Sequence, residues 1–149
     1  MRILTSHWYE VKLRYEKLQE NGTIKSETEN YTVDALTFGE AEKKALEYIY
    51  QYTKEEVKVM AIKHADYAEI MFTNKETSDK YYKAKLCFIV PDERGSGKEK
   101  KCMVTYLVQG ASMDDALKNV RESMKDSMQD YLECGITETN IADVVLHEH

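Results

Sequence analysis

The histidine and cysteine side chains, which could ligate metals or act as nucleophiles, have no catalytic or metal-binding spacing in this sequence. His147 and His149 form a pair at the end of the chain, and His64 lies near Asp66 without a cysteine or second histidine at ligand spacing. A zinc site needs about four such ligands. Motifs of phosphate loops, nucleophile elbows and zinc proteases do not occur. The sequence therefore predicts a protein that is not an enzyme and that holds no metal or cofactor.

The three cysteines, Cys87, Cys102 and Cys134, are odd in number and form no C-x-x-C pair, which indicates reduced thiols and a cytoplasmic location. A reactive thiol needs a basic neighbour and access to solvent. Cys87 shares a predicted strand face with Lys83 and Lys85, so it is the candidate for reactivity. The alternative for all three is a small residue within a sheet.

Aromatic and cationic side chains alternate on one face of two predicted strands, one in each half of the chain. On a sheet, aromatic rings can stack on bases while ammonium and guanidinium groups follow the phosphates of a single strand. The pattern therefore predicts single-stranded nucleic acid as the partner. The predicted contact residues are Trp8, Lys12, Arg14, Tyr81, Lys83 and Lys85.

A protein–protein interaction or assembly module, such as a homodimer formed through exposed strand edges, is the alternative. Glu10 and Glu16 interrupt the first cationic face, and Trp8 and Tyr81 could cover an apolar junction between the two halves. All six of the predicted contact side chains should be exposed on a common surface if nucleic acid binds there. Burial of the two aromatic residues would contradict the stacking hypothesis.

Charge and composition limit the class of partner further. The net charge is −6, and six acidic residues but no basic ones follow Lys125, so residues 1–125 carry equal numbers of both charges. Balanced charge is not the basic footprint of a duplex-binding protein.

Hydrophobic residues at 42% and charged residues at 32% indicate a folded globular chain. Apolar runs are short and residues 1–4 precede none, so we expect neither a membrane segment nor a secretory signal.

Three blocks of the sequence recur in the same order at a separation of 73–75 residues. The paired blocks are residues 8–13 with 81–86, 31–41 with 106–116, and 67–70 with 141–144. This internal duplication predicts a first α+β repeat at 1–75 and a second α+β repeat at 76–149. Each half is near the lower size limit for folding alone, so we expect one compact domain with a shared core.

Each repeat reads as strand, strand, helix and then one or two strands, which predicts an α+β fold of mostly antiparallel sheet with one helix per repeat. A two-residue Asn-Gly loop in the first hairpin would separate the apolar faces of its strands. A three-residue loop with Gly22 as a left-handed bulge instead places Val11 opposite Tyr31 and Tyr9 opposite Val33. We predict the bulged turn.

Capping signals mark the start of both predicted helices. Thr37 with Glu40 three residues later forms a capping box, and Ser112 with Asp115 occupies the same positions in the second repeat. The buried stripe predicted for the second helix consists of Met113, Ala116, Val120, Met124 and Met128.

Two further segments connect the predicted elements of the repeats. Residues 56–64 and 67–73 read as strands that could form a hairpin turned at Ala65-Asp66. Residues 92–101 read as a charged hairpin loop. Its segment Arg94–Lys98 has the composition of a phosphate loop, but it joins two strands, so no helix N-terminus would receive a phosphate.

Several blocks of the chain resemble a family of bacterial and phage proteins that is one of the numbered domains of unknown function. The resemblance covers residues 8–146 and supplies no catalytic residues. It implies a replication-associated role, since phage relatives are suggested to bind single-stranded DNA. The blocks that carry it are Trp8–Lys12, Val33–Glu42, Ile62–Ile70 and Ile141–Val144.

Overall fold

The structure is a computed structural model that describes residues 7–91 and 99–146. The phosphate-loop-like segment Arg94–Lys98 lies outside the described residues, and so does the terminal pair His147 and His149.

The chain divides into two compact units, and the described residues of each form one four-stranded sheet and one helix. Unit 1 is the chain up to Ala65 together with the chain from Asn140, and unit 2 is Asp66–Thr139. In chain order the elements are β1 (His7–Leu18), β2 (Ile24–Ala35), α1 (Phe38–Ile49), β3 (Lys58–Ala65), β4 (Ile70–Met71), β5 (Lys80–Pro91), β6 (Glu99–Gly110), α2 (Met113–Met124), β7 (Tyr131–Glu138) and β8 (Ile141–Val145). The predicted α+β class is confirmed. In the described part of the chain, neither helix has the length or apolar character to cross a bilayer.

Unit 1 has the strand order β3-β1-β2-β8, with α1 packed against one face. β1 runs antiparallel to β2 and to β3, whereas β8 runs parallel to β2. The odd-numbered residues of β1 point toward the helix because apolar residues alternate along the strand. The core side chains of this unit include Tyr9, Val11, Leu13, Val33, Ala41, Ala45 and Ile49.

The turn between β1 and β2 has the predicted bulged geometry. Gly22 has a φ of 85°, and the Gln19 amide donates to the Thr23 carbonyl at 2.8 Å. Val11 lies opposite Tyr31, so the predicted register is confirmed. A left-handed residue at this position is unstrained only as glycine, which is why this short sequence fixes the pairing of two long strands.

Unit 2 has the strand order β4-β6-β5-β7, with α2 against one face. Ala116 and Val120 of α2 are fully buried, as predicted. Met113 and Met128 are 47% and 99% exposed, so the ends of the predicted stripe are wrong. Met128 lies beyond the end of α2 at Met124, where side chains no longer follow the face of the helix, and Met113 is the first residue of the helix. Close packing of α2 on β6 requires Gly110, where a Cβ atom would lie 2.8 Å from Ala116.

Both helices begin with the predicted caps. Thr37 Oγ1 accepts from the Glu40 amide at 3.1 Å, and Ser112 Oγ accepts from the Asp115 amide at 3.2 Å. The carboxylates of Glu40 and Asp115 then accept from the backbone amide of the residue before the cap, at 3.1 and 2.8 Å. Each box therefore joins the helix start to the end of the preceding strand.

The last strand of each repeat pairs in the sheet formed by the other repeat. β4 runs parallel to β6, and β8 runs parallel to β2. The hairpin suggested at Ala65-Asp66 is wrong, because the chain passes there from unit 1 into unit 2. Each sheet is mixed, with one parallel and two antiparallel pairings.

Candidate nucleic-acid interface

The outer face of the unit 1 sheet, turned away from α1, carries the even-numbered side chains of β1. Lys12 and Arg14 are exposed on this face, and Trp8 is half-buried. Asn30 and Thr28 of β2 lie opposite the two cations. This part of the sheet therefore presents positive charge beside hydrogen-bonding side chains.

A third cation reaches the face through a β-bulge in β3. The register shifts between Lys12 and Leu13 with Met60 as the extra residue, so that Arg14 pairs with Lys58. Without the extra residue Val59 would stand opposite Arg14. Lys58 is exposed, and within the described residues neither it nor Lys12 has an ion-pair partner. Together with Arg14 they form what we call the cationic strip.

A depression of about 520 Å³ adjoins the cationic strip. Its volume lies within the range of about 300–1,000 Å³ that is usual for small-ligand sites. Its lining includes two cations, three carboxylates, a serine, a methionine and a tyrosine. The lining residues are Arg14, Tyr15, Glu16, Ser26, Glu55, Glu56, Lys58 and Met60.

Acidic residues limit the cationic strip at both ends. Glu10 lies toward Trp8 and pairs with Lys63 at 3.1 Å, and Glu16 lies toward the hairpin turn. Thr32, opposite Glu10, is fully buried although it lies on the outer face. The accessible positive surface is therefore the region between the two glutamates.

The second predicted face, on unit 2, differs in exposure. Lys85 is exposed, whereas Lys83 is half-buried with its Nζ 5.5 Å from the centroid of the Tyr67 ring. Tyr81 is only 4% exposed, so its expected exposure is not observed. Both faces of β5 are buried at this end, which removes the alternation that the prediction assumed. Tyr81 presents no ring face on which a base could stack.

A cluster of tyrosines and carboxylates on the helix side of unit 1 was not predicted. Glu29 accepts hydrogen bonds from the hydroxyls of Tyr15 and Tyr31, the second at 2.6 Å. Tyr48 donates to Asp143 Oδ2 at 2.5 Å. Burial raises the pKa of Tyr15 to about 12 and raises the pKa of Tyr31 as well, and the hydrogen bonds to Glu29 add to both shifts. These phenols stay protonated at neutral pH and act as donors.

His64, the histidine considered as a metal ligand, lies on β3 beside two rings. The centroids of His7 and Tyr9 are 5.4 and 5.2 Å from that of His64. Among residues 7–91 and 99–146, no group of three or more His, Cys, Asp or Glu side chains is arranged to hold a metal ion.

The family model described as a domain of unknown function, DUF4494, matches residues 7–147. No curated protein and no solved structure matches the chain.

Proposed function

The chain belongs to the DUF4494 family, and we propose that it binds single-stranded nucleic acid through the outer face of the unit 1 sheet. The observation that carries the proposal is the cationic strip of Lys12, Arg14 and Lys58. The family description names no activity, so the support comes from the geometry of this face.

The spacing of the strip suits an extended phosphate backbone. Residues two apart on one strand present side chains about 6.7 Å apart on the same face. Lys12 and Arg14 have this relation, and Lys58 lies one strand away, about 4.8 Å to the side. Flexible lysine and arginine side chains at these separations can contact successive phosphates of a single strand.

Arg14 is held in position for such a contact. Its Nε donates to Ser26 Oγ at 2.9 Å, which uses one of the five N–H donors of the guanidinium group. The remaining donors form a planar fork that binds phosphate oxygens in pairs. Because one hydrogen bond already orders the side chain, less conformational entropy is lost when a phosphate binds.

The adjoining depression supplies contacts for a base. Met60 offers apolar surface, and the carboxylates of Glu16 and Glu55 can accept from the amino groups of bases. The same carboxylates repel phosphates, so they direct the backbone along the cationic strip. A nucleotide is then held by phosphate contacts on one side and base contacts on the other.

The small number of cations sets the expected salt dependence. Three phosphate contacts on a single strand give a slope of log affinity against log salt of about −2. Raising the salt from 50 to 200 mM should therefore weaken binding about 16-fold. A slope near −0.7 is expected when only one contact remains.

Fluorescence anisotropy of a labelled single-stranded oligonucleotide tests this proposal. The variant Lys12→Gln/Arg14→Gln should bind much more weakly, with a slope reduced to about −0.7. Lys43→Gln/Lys118→Gln is the matched control, because it removes the same charge from exposed helix positions. Equal losses in both variants would show only a net-charge effect. Absence of binding by the unaltered chain at low salt would refute nucleic-acid binding.

An assembly module is the second candidate, favoured by apolar exposure on unit 2. Met103 and Leu132 are 53% and 49% exposed and flank Cys87 on the face of the sheet opposite α2. A self-association through this face would raise the sedimentation mass with concentration, and Met103→Lys would abolish that rise. This outcome, together with no oligonucleotide binding, would favour the assembly role.

A further inference from the structure

β7 is an edge strand of the unit 2 sheet, and within the described residues only β5 pairs with it. Just beyond β7, the Thr139 amide donates to the Tyr81 carbonyl at 3.1 Å, which fixes the alternation of the ladder. In an antiparallel pair, residues bonded to the neighbouring strand alternate with residues whose N–H and C=O groups point away from it. The backbone groups of Thr137 therefore point to β5, and those of Ile136 and Glu138 point outward, where an added strand can pair with them.

An apolar pocket of about 200 Å³ adjoins this edge on the helix side of the sheet. Its volume is below the range of about 300–1,000 Å³ that is usual for small-ligand sites, so it suits a single side chain. Three of its lining residues belong to the buried core, namely Ala84, Leu86 and Val120. The others are Leu117, Glu133, Cys134, Gly135 and Ile136.

The position of Ile136 connects the free edge to the pocket. Its side chain packs against the core on the helix side. Residues that lie opposite each other in a ladder present their side chains on the same face. A residue of an added strand opposite Ile136 therefore has its side chain beside the pocket and Leu117. Within the described chain, a Cβ at Gly135 would meet nothing within 4 Å, so a second backbone has room to approach.

Acidic side chains predominate at this edge. The segment from Asp126 to Glu138 contains four acidic residues and no lysine or arginine. Glu133 is already paired with Arg121 at 2.9 Å. Glu138 lies 3.9 Å from Lys80, and exposed pairs of this kind contribute little. The charge of the edge therefore favours a cationic partner.

We propose that β7 binds an extended, cationic segment of a partner protein as an added antiparallel strand. Antiparallel pairing is slightly more stable per residue than parallel pairing. A small aliphatic side chain opposite Ile136 enters the pocket, and a lysine or arginine two residues before it lies opposite Glu138 on the same face. Main-chain hydrogen bonds supply affinity in this mode of recognition, and alternate side chains supply specificity.

The bulge in β7 limits the length of the added strand. Cys134 is the extra residue between Glu133 and Gly135 in the pairing with β5. A regular edge is therefore available only over residues 135–138, which fits one aliphatic residue and one cation. The proposal does not depend on nucleic-acid binding, since all of these residues belong to unit 2 and the cationic strip belongs to unit 1.

Titration of the isotope-labelled full chain with the peptide Thr-Lys-Thr-Val-Thr-Thr, followed by NMR, tests where the peptide binds. The amide signals of Ile136 and Glu138 should shift in a saturable way, together with the methyl signals of Leu117. The amide signal of Lys12, in the cationic strip, should not shift. An absence of shifts at Ile136 and Glu138 with millimolar peptide would overturn the proposal.

Backbone methylation of the same peptide, with a fluorescent label for anisotropy, tests strand addition. N-methylation of the valine removes the donor that faces β7 and should weaken binding about tenfold. N-methylation of the threonine before the valine is the matched control, because that amide points away from β7. Equal losses from the two methylations would overturn strand addition, since association by charge and apolar contact alone does not distinguish these amides.

Two side-chain changes test the pocket and the charge. Replacing the valine of the peptide with alanine removes two carbon atoms from the pocket and should weaken binding about tenfold. Glu138→Lys should weaken binding at least about threefold, whereas Glu42→Lys, the same change at an exposed helix position of unit 1, should not. Equal effects of the two lysine variants, or self-association of the chain through β7 that excludes the peptide, would overturn the proposal.

Discussion

Gly110→Ala is the substitution that tests most directly how α2 packs on β6. A Cβ atom at this position would lie 2.8 Å from the nitrogen, Cα and Cβ of Ala116. Ordinary contacts begin at 3.4 Å, so all three approaches are too short by 0.6 Å. Two of these atoms belong to the backbone, and relief therefore requires a shift of the helix start rather than of a flexible side chain.

The expected loss of stability follows from two opposing effects. Overpacking of this kind costs about 1–3 kcal/mol, and the smaller conformational freedom of alanine in the unfolded chain returns about 0.4–1 kcal/mol. A net loss of about 1–2 kcal/mol in the free energy of unfolding is expected. For a unit of this size that corresponds to a fall in Tm of about 4–16 °C.

Thermal and guanidinium unfolding, with hydrogen exchange of the β6 amides, measure this loss. Gly39→Ala is the matched control, because within the described residues nothing lies within 4 Å of its added Cβ, and alanine favours a helix by about 0.5–1 kcal/mol. Ala35, the residue equivalent to Gly110 in the first repeat, is fully buried, so unit 1 has room for this methyl group. An unchanged or higher stability of Gly110→Ala would refute the close approach of α2.

Two further predictions concern a pH dependence and a turn. Hydrogen bonds from the Ala111 amide, Ser78 and Lys75 lower the pKa of Asp115 from 3.8 to about 2. Its stabilising contribution is therefore complete above pH 3.8 and is lost as the pH falls toward 2, so urea unfolding of Asp115→Asn should show a flatter pH dependence in that window. Gly22→Ala forces a non-glycine residue to a φ of 85° and should cost about 1–2 kcal/mol in chemical denaturation. Gly135→Ala, with open space around it in the described chain, should cost little in the same assay.

The local features of the fold could be predicted because short stretches of sequence determine them. The turn at Gly22 and the alternation along β1 together allow one register that keeps the apolar faces on one side. The same register also brings Glu29 near Tyr15 and Tyr31, so the tyrosine cluster could have been found from the predicted pairing.

The sheet that the last strand of each repeat joins could not be predicted from such short stretches of sequence. β4 has only two residues, and its pattern around Ile70 is similar to that around Ile141. Alternation shows which side of a strand is apolar, but it does not show which of two similar sheets the strand joins. The chain makes this choice through tertiary packing, since each parallel pairing is distant in sequence.

The cationic strip depends on a β-bulge, and β-bulges have no reliable marker in the sequence. An extra residue in β3 brings Lys58 beside Arg14. Each bulge shifts the strand beyond it by one residue, which moves side chains to the other face. A prediction from regular alternation therefore named Lys12 and Arg14 but omitted the third cation.

The last strand of each sequence repeat pairs in the sheet of the other repeat, so the two repeats do not coincide with the two compact units. β8 supplies Ile141, which is 7% exposed, and Asp143, which accepts a hydrogen bond from Tyr48. A chain ending at residue 75 would leave the edge of β2 unpaired and would carry β4 without β6. An unpaired edge presents N–H and C=O groups that associate with other chains. The sheet that presents the cationic strip is therefore complete only when residues beyond 140 are present, and nucleic-acid binding has to be measured on the full chain.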